Sequence, residues 1–167
     1  MTDGTARYAR DGGTWFLKLA GDLRHPLGPA LDALLDRAFT DPQFQRVVVD
    51  LCDAENIDST CLGILARIAN QARHAGGDRP AIIIGNEDIR TLLLAVCFDR
   101  LFTLVDTNGA RVGELQPVPA QTADTDALLE LILDAHRRLC AIDTRTHAAF
   151  RDLVDALQEE ARQRQSH

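Results

Sequence analysis

The segment from residue 47 to residue 68, VVVDLCDAENIDSTCLGILARI, constrains the fold of this chain more than any other. It opens with three valines and, after one residue, Leu51; a short apolar run of this kind is typical of a strand buried on both faces. A polar loop follows at residues 52–58. Apolar residues then recur at helical spacing, which predicts a helix that begins near Ser59 or Thr60.

Asp58 and Ser59 stand where this helix would begin. Both residue types are good N-caps, because their side-chain oxygens accept hydrogen bonds from first-turn amides. A hydroxyl at this place lies beside amides that have no partner within the helix, and at the positive end of the helix dipole. The segment therefore predicts a strand, a loop and a helix whose first turn presents the Ser59 hydroxyl.

The same segment carries the pattern DL-x6-DST-x-LG-x-L. It is made by Asp50-Leu51, Asp58-Ser59-Thr60, Leu62-Gly63 and Leu65. This pattern resembles the signature of the STAS domain, the anti-sigma factor antagonist family. The resemblance covers roughly residues 6 to 108 and implies a mixed α/β fold.

Several positions depart from the family pattern. Cys61 stands where the family usually has glycine, and Glu55 and Asn56 stand where apolar residues are common. A corner at residues 21–23 also resembles the family, except that Arg24 replaces the usual acid. We expect these departures to change the identity of the partner more than the fold.

The resemblance implies a regulatory protein rather than an enzyme, with no cofactor. In such proteins a kinase that is itself the anti-sigma factor phosphorylates the serine after the aspartate, and a metal-dependent serine phosphatase reverses the reaction. Ser59 is then the phosphorylation site, with Thr60 as the weaker alternative. The expected partner-binding residues are Asp22, Asp58, Ser59, Thr60, Cys61, Leu62 and Gly63.

A phosphate on Ser59 would act through its charge. It adds about −1.5 to −2 charges, which a helix N-terminus tolerates. At a docked interface the same charge would be desolvated beside Asp53, Glu55 and Asp58, so phosphorylation can break a complex without unfolding the protein. The alternative is that Ser59 is only a helix cap.

Composition limits the partners and the compartment. The net charge of −7 disfavours a nucleic-acid surface. No apolar run approaches the roughly 20 residues of a membrane span, and the polar N-terminus does not have the apolar region of a signal peptide. The four cysteines are far apart in the sequence and are typical of reduced thiols. These features predict a cytoplasmic protein with protein partners.

The order of elements predicts an α/β domain followed by a helical extension. Asp11-Gly12-Gly13 favours a hairpin between two strands, and strands then alternate with helices, which predicts a mixed sheet of four to five strands. We assign residues 1–108 to this domain, 109–125 to a linker and 126–167 to a C-terminal α-helical hairpin. This hairpin is too small to bury both of its faces, so it must dock on the domain or on another chain.

Three alternatives remain at the sequence level. The C-terminal helices could make a homodimer or scaffold in which Ser59 is never phosphorylated. Cys61 could be a reactive thiol at a helix N-terminus, although packing in the core is the favoured interpretation. His136 and Cys140 could share a helix face, but two ligands rarely make a metal site, so no metal is expected.

Overall fold

The computed structural model describes residues 2–106 and 113–166. Seven strands in these ranges form one mixed sheet. They are β1 (Thr5–Asp11), β2 (Thr14–Leu23), β3 (Arg46–Leu51), β4 (Ala54–Ile57), β5 (Ala81–Ile84), β6 (Thr103–Asp106) and β7 (Gln116–Pro117). The α-helices of the same ranges are α1 (Gly28–Phe39), α2 (Ser59–His74), α3 (Glu87–Ala95), α4 (Thr125–Cys140) and α5 (Thr144–Gln165).

The strand order is β6-β5-β3-β2-β1-β7, and β4 pairs with the end of β2. Strand β1 is antiparallel to both β2 and β7, whereas the other neighbours run parallel. Parallel neighbours need crossover connections, which contain α1, α2 and α3. The mixed α/β fold is therefore confirmed, and the described sheet has two more strands than the five expected at most.

The first additional strand, β4, lies inside the segment expected to be a loop. Ala54 and Ile57 are buried while Glu55 is exposed, so this polar segment still gives the sheet two apolar side chains. The corner at residues 21–23 does not end β2, which continues to Leu23. Gly21 has φ +80°, and at this bulge β2 changes neighbour from β3 to β4.

The second additional strand, β7, lies in the expected linker. Its two residues pair with Arg7 and Tyr8 of β1, and the Val118 amide donates to the Ala6 carbonyl at 3.0 Å. This part of the connection is thus fixed to the sheet edge. Residues 109–112 of the expected linker lie outside the described residues.

Helix α2 is covered on two sides. Ten of its sixteen residues are buried, which is more than one amphipathic face of a surface helix supplies. The sheet covers one side, and α4 packs along another. Ala135 and Leu139 of α4 belong to the main hydrophobic core together with Leu62 and Leu65. The C-terminal hairpin therefore docks on the α/β part of its own chain.

A partly buried carboxylate joins β1, β2 and the end of α1. Asp41 accepts hydrogen bonds from Arg10 Nε at 2.7 Å and Trp15 Nε1 at 2.9 Å, and from the Gln43 amide at 3.0 Å. The hydrogen bond from Arg10 is the largest cause that lowers the pKa of Asp41 to about 2. Its charged form is therefore stabilised by folding.

This lowered pKa predicts an acid dependence of stability. The contribution of Asp41 is fully present above its unfolded pKa of about 3.9 and is lost as the pH falls toward about 2. We expect Asp41→Asn to be less stable at pH 7 and to lose less stability than the wild type between pH 4 and 2. Urea unfolding at several pH values measures both effects.

Gln43→Ala is a matched control. Gln43 Oε1 accepts from the same Arg10 at 2.8 Å but cannot ionise, so this variant should lower stability without changing the pH slope. Equal slopes for the wild type and Asp41→Asn would contradict the prediction.

Candidate functional site

Asp58 organises the entrance to α2. Its Oδ1 accepts from the Cys61 amide at 2.8 Å, and its Oδ2 accepts from the His25 amide at 2.7 Å. The first bond is an N-cap, and Asp58 has the extended backbone conformation of that position. The second ties the cap to the short 3-10 helix His25–Leu27. Asp58 is thus the N-cap of α2, and Ser59 is its first residue.

The Ser59 hydroxyl faces the C-terminal hairpin. Its Oγ lies 2.8 Å from Nε2 of His136 on α4. The other ring nitrogen, Nδ1, lies 2.7 Å from the Ile132 carbonyl. Because a carbonyl only accepts, Nδ1 carries the proton, and in the neutral imidazole Nε2 accepts from Ser59. His136 is only 3% exposed, so this hydrogen bond lies inside the interface between α2 and α4.

The two helices approach each other closely at Gly63. A Cβ placed on Gly63 would lie 2.2 Å from the Ala135 carbonyl oxygen and 2.6 Å from its Cα. Such distances do not occur between real side chains and a backbone, so glycine is required for this approach. Ser59 and Gly63 are four residues apart and share one face of α2. The adjacent residues 135 and 136 of α4 cover that face.

The other expected partner-binding residues divide into two groups. Thr60, Cys61 and Leu62 are buried, so a partner does not reach their side chains in this conformation. Asp22 lies at the rim, where its carboxylate accepts from Arg24 Nε at 2.5 Å and Asn56 Nδ2 at 3.3 Å. The hydrogen bond from Arg24 lowers the pKa of Asp22.

The environment of Cys61 does not activate its thiol. Burial is the main cause that raises the pKa of Cys61, and the nearby Asp58 carboxylate raises it further. A thiolate is therefore disfavoured, which supports packing in the core over nucleophilic chemistry.

The turn between α4 and α5 forms a second attachment. Asp143 caps α5 together with Thr146 and accepts from Arg100 Nη1 at 3.0 Å and Arg145 Nε at 2.9 Å. The hydrogen bond from Arg145 is the main cause that lowers the pKa of Asp143 to about 2. Arg100 lies in the α/β part, so this ion pair holds the turn of the hairpin against it.

Across residues 2–106 and 113–166, no group of three or more histidine, cysteine or acidic side chains could hold a metal ion. No helix in these ranges is both long and apolar enough to cross a bilayer. His136, considered above with Cys140, instead faces Ser59.

Sequence reasoning missed the pairing of Ser59 with His136. The residues are 77 positions apart, and no local pattern fixes such a contact. The available signal was indirect: a polar residue at an apolar position of α4, in a hairpin that had to dock somewhere.

Comparison with known proteins agrees with this geometry. Residues 6–78 match the sequence profile of the family described as "Mlab, STAS domain". None of the curated proteins matches the chain in sequence. The mixed α/β part of this chain therefore contains a STAS domain.

Solved structures show the same fold. The anti-sigma factor antagonist SpoIIAA in its unphosphorylated form is 15% identical, with 62% of this chain and 89% of that chain covered and a TM-score of 0.54. The Bacillus cell fate determinant SpoIIAA in its phosphorylated form is 13% identical, with 62% and 92% covered and a TM-score of 0.53. The Thermotoga maritima protein TM1081 is 23% identical, with 60% and 79% covered and a TM-score of 0.53.

The double role of Asp58 predicts a measurable loss of stability. Asp58→Ala removes the acceptors for two amides, and we expect it to lower the free energy of unfolding by about 1 to 3 kcal/mol, an N-cap together with a second hydrogen bond. Asp58→Asn keeps one acceptor oxygen and should lose less. Chemical denaturation measures both, and a loss below about 0.5 kcal/mol for Asp58→Ala, the size of an ordinary surface substitution, would contradict the assigned role.

Proposed function

We propose that this protein is an anti-sigma factor antagonist of a partner-switching system. Unphosphorylated, it binds a kinase-type anti-sigma factor through the first turns of α2. The kinase phosphorylates Ser59, and a metal-dependent serine phosphatase restores the hydroxyl. The protein itself carries out no catalysis, needs no cofactor and acts in the cytoplasm.

The position of Ser59 carries this proposal. It is the first residue of a capped helix in a STAS domain, where the helix dipole tolerates a phosphate. The fold can therefore survive the modification. The Ser59 hydroxyl also lies in a polar contact and not in the apolar core, because it is hydrogen-bonded to a ring nitrogen of His136.

Acidic groups near the first turn of α2 increase the effect that the charge of a phosphate on Ser59 would have on partner binding. The carboxylates of Asp22 and Asp58 both act on the nearby Cys61 thiol. A phosphate on Ser59 would join them and make this surface strongly negative. Two unit charges about 4 Å apart interact by roughly 4 kcal/mol near a protein surface, and about 1.4 kcal/mol changes an affinity tenfold.

Phosphorylation is tested on the full chain isolated from its native cells. We expect fragmentation mass spectrometry to locate a phosphate on Ser59, to find it unchanged in Thr60→Val, and to find none in Ser59→Ala. A phosphate confined to Thr60, or none under any growth condition, would contradict the proposal.

Partner binding is tested with the same variants. We expect the wild type and Ser59→Ala to co-purify with a histidine-kinase-like ATPase, and Ser59→Asp to bind it at least about tenfold more weakly, a loss of about 1.4 kcal/mol. Equal binding by Ser59→Asp would count against a charge switch. The homodimer through the C-terminal helices stays a prediction, which the mass of the full chain in solution tests.

A further inference from the structure

We infer that the α4–α5 hairpin is a tethered competitor of the partner: it occupies the partner-binding face of α2 and must leave before a partner can bind. We further infer that the uncovered face accepts an α-helix of the partner. That helix carries a small residue where it crosses Gly63 and a hydrogen-bonding side chain beside Ser59. This inference rests on the proposed function of that face.

The occupied surface coincides with the expected partner site. Ser59 Oγ is hydrogen-bonded to His136 Nε2 at 2.8 Å, and Gly63 lies directly against the backbone of Ala135. Thr60 and Leu62 between them are buried. A partner that contacts the Ser59 hydroxyl and Gly63 therefore cannot bind while the hairpin is docked.

The docked hairpin is also incompatible with a phosphate on Ser59. The separation of 2.8 Å between Oγ and Nε2 is a direct hydrogen bond, and His136 is packed edge-on against Phe150, with 6.0 Å between ring centroids. A phosphoryl group adds a phosphorus atom and three oxygens at this place. The kinase must therefore act on an open form, and the modified chain cannot close in the same way.

The hairpin can leave α2 as a unit. Leu129, Leu133 and Ala161 form a separate small core, against which Val154 and Leu157 pack. Much of the contact between α4 and α5 is therefore separate from the contact between α4 and α2, although Phe150 of α5 also packs against the main core. Release breaks the hydrogen bond between Ser59 and His136 and the contact between Gly63 and Ala135. It also breaks the contacts of the hairpin turn with Arg100 and Cys97, and it exposes Ala135 and Leu139 of the main core.

The tether keeps the released hairpin close. Strand β7 and the Val118 amide remain bonded to β1, and only residues 119–124 separate Val118 from α4. A short linker of this kind gives an effective concentration in the millimolar range. The apparent affinity of the partner is therefore its intrinsic affinity multiplied by the fraction of molecules in which the hairpin is open. A protein that binds α2 only weakly cannot displace the hairpin.

The contacts of α4 define the helix that could replace it. Close approach to Gly63 needs a small side chain, which Ala135 provides. The next residue, His136, supplies the hydrogen bond to Ser59, and Leu139, one turn further along, is fully buried. A partner helix with a small, then a polar, then an apolar residue at this spacing fits the same face.

Gly63→Ala tests the release of the hairpin in the full chain. The added methyl meets the Ala135 backbone while alanine raises the helix propensity of α2. We expect amide hydrogen exchange in α4 to become at least about tenfold faster, which corresponds to about 1.4 kcal/mol, with β3 and β5 unchanged. Gly113→Ala is the matched control, because a Cβ there meets nothing within 4 Å, and it should exchange like the wild type.

His136→Ala tests the release of the hairpin if the Gly63→Ala protein does not fold. It adds no atoms and removes the bond to Ser59, so we expect exchange in α4 to rise about tenfold relative to β3. If α4 keeps its wild-type protection in His136→Ala, or in a folded Gly63→Ala protein, the inference is overturned.

A fluorescent peptide of residues 124–143 probes the uncovered face. We expect it to bind His136→Ala about tenfold more tightly than the wild type, and to lose this binding in the double variant with Gly63→Ala. Absence of binding to His136→Ala would overturn the assignment of a helical partner.

A hairpin that stays closed in a protein phosphorylated on Ser59 would refute this inference and leave the proposed function standing. A hairpin that opens in a protein that is never phosphorylated would refute the proposed phosphorylation switch and leave this inference standing.

Discussion

The burial of α2 on two sides is the constraint on which the rest of the molecule depends. The sheet needs this helix to cover β3 and its neighbours, and α4 needs it to cover Ala135 and Leu139. One helix therefore belongs to the core of the STAS domain and is also the docking site of the extension. Because Gly63 allows the two backbones to approach, the second cover is a shape-specific contact and not a general apolar association.

Much of the fold follows from local sequence patterns. The β-branched run of β3, the Asp11-Gly12-Gly13 turn and the periodic apolar residues of α2 each specify their own element. Strands β4 and β7 escaped prediction for a physical reason. They have four and two residues, and their pairing depends on the neighbours β2 and β1, which no short pattern encodes.

The candidate site also combines features that the local sequence predicts with features that depend on distant packing. Asp58 as a cap, and Ser59 beside it, could be predicted because capping is an interaction between residues three apart. The hydrogen bond between Ser59 and His136 could not be predicted, since it depends on how a distant hairpin packs. Asp143 shows both cases: its capping of α5 is a local interaction with Thr146, whereas its ion pair with Arg100 requires the docked arrangement.

The single tryptophan of the chain gives the protein a built-in optical label for one part of its structure. Trp15 is buried on β2, stacks with Tyr8 at 6.1 Å and bonds to Asp41, and these contacts all lie within the first 41 residues. Its fluorescence therefore monitors the integrity of the sheet. Helical circular dichroism, by contrast, includes the signals of α4 and α5, so a divergence between the two signals on heating would show that the chain melts in more than one step.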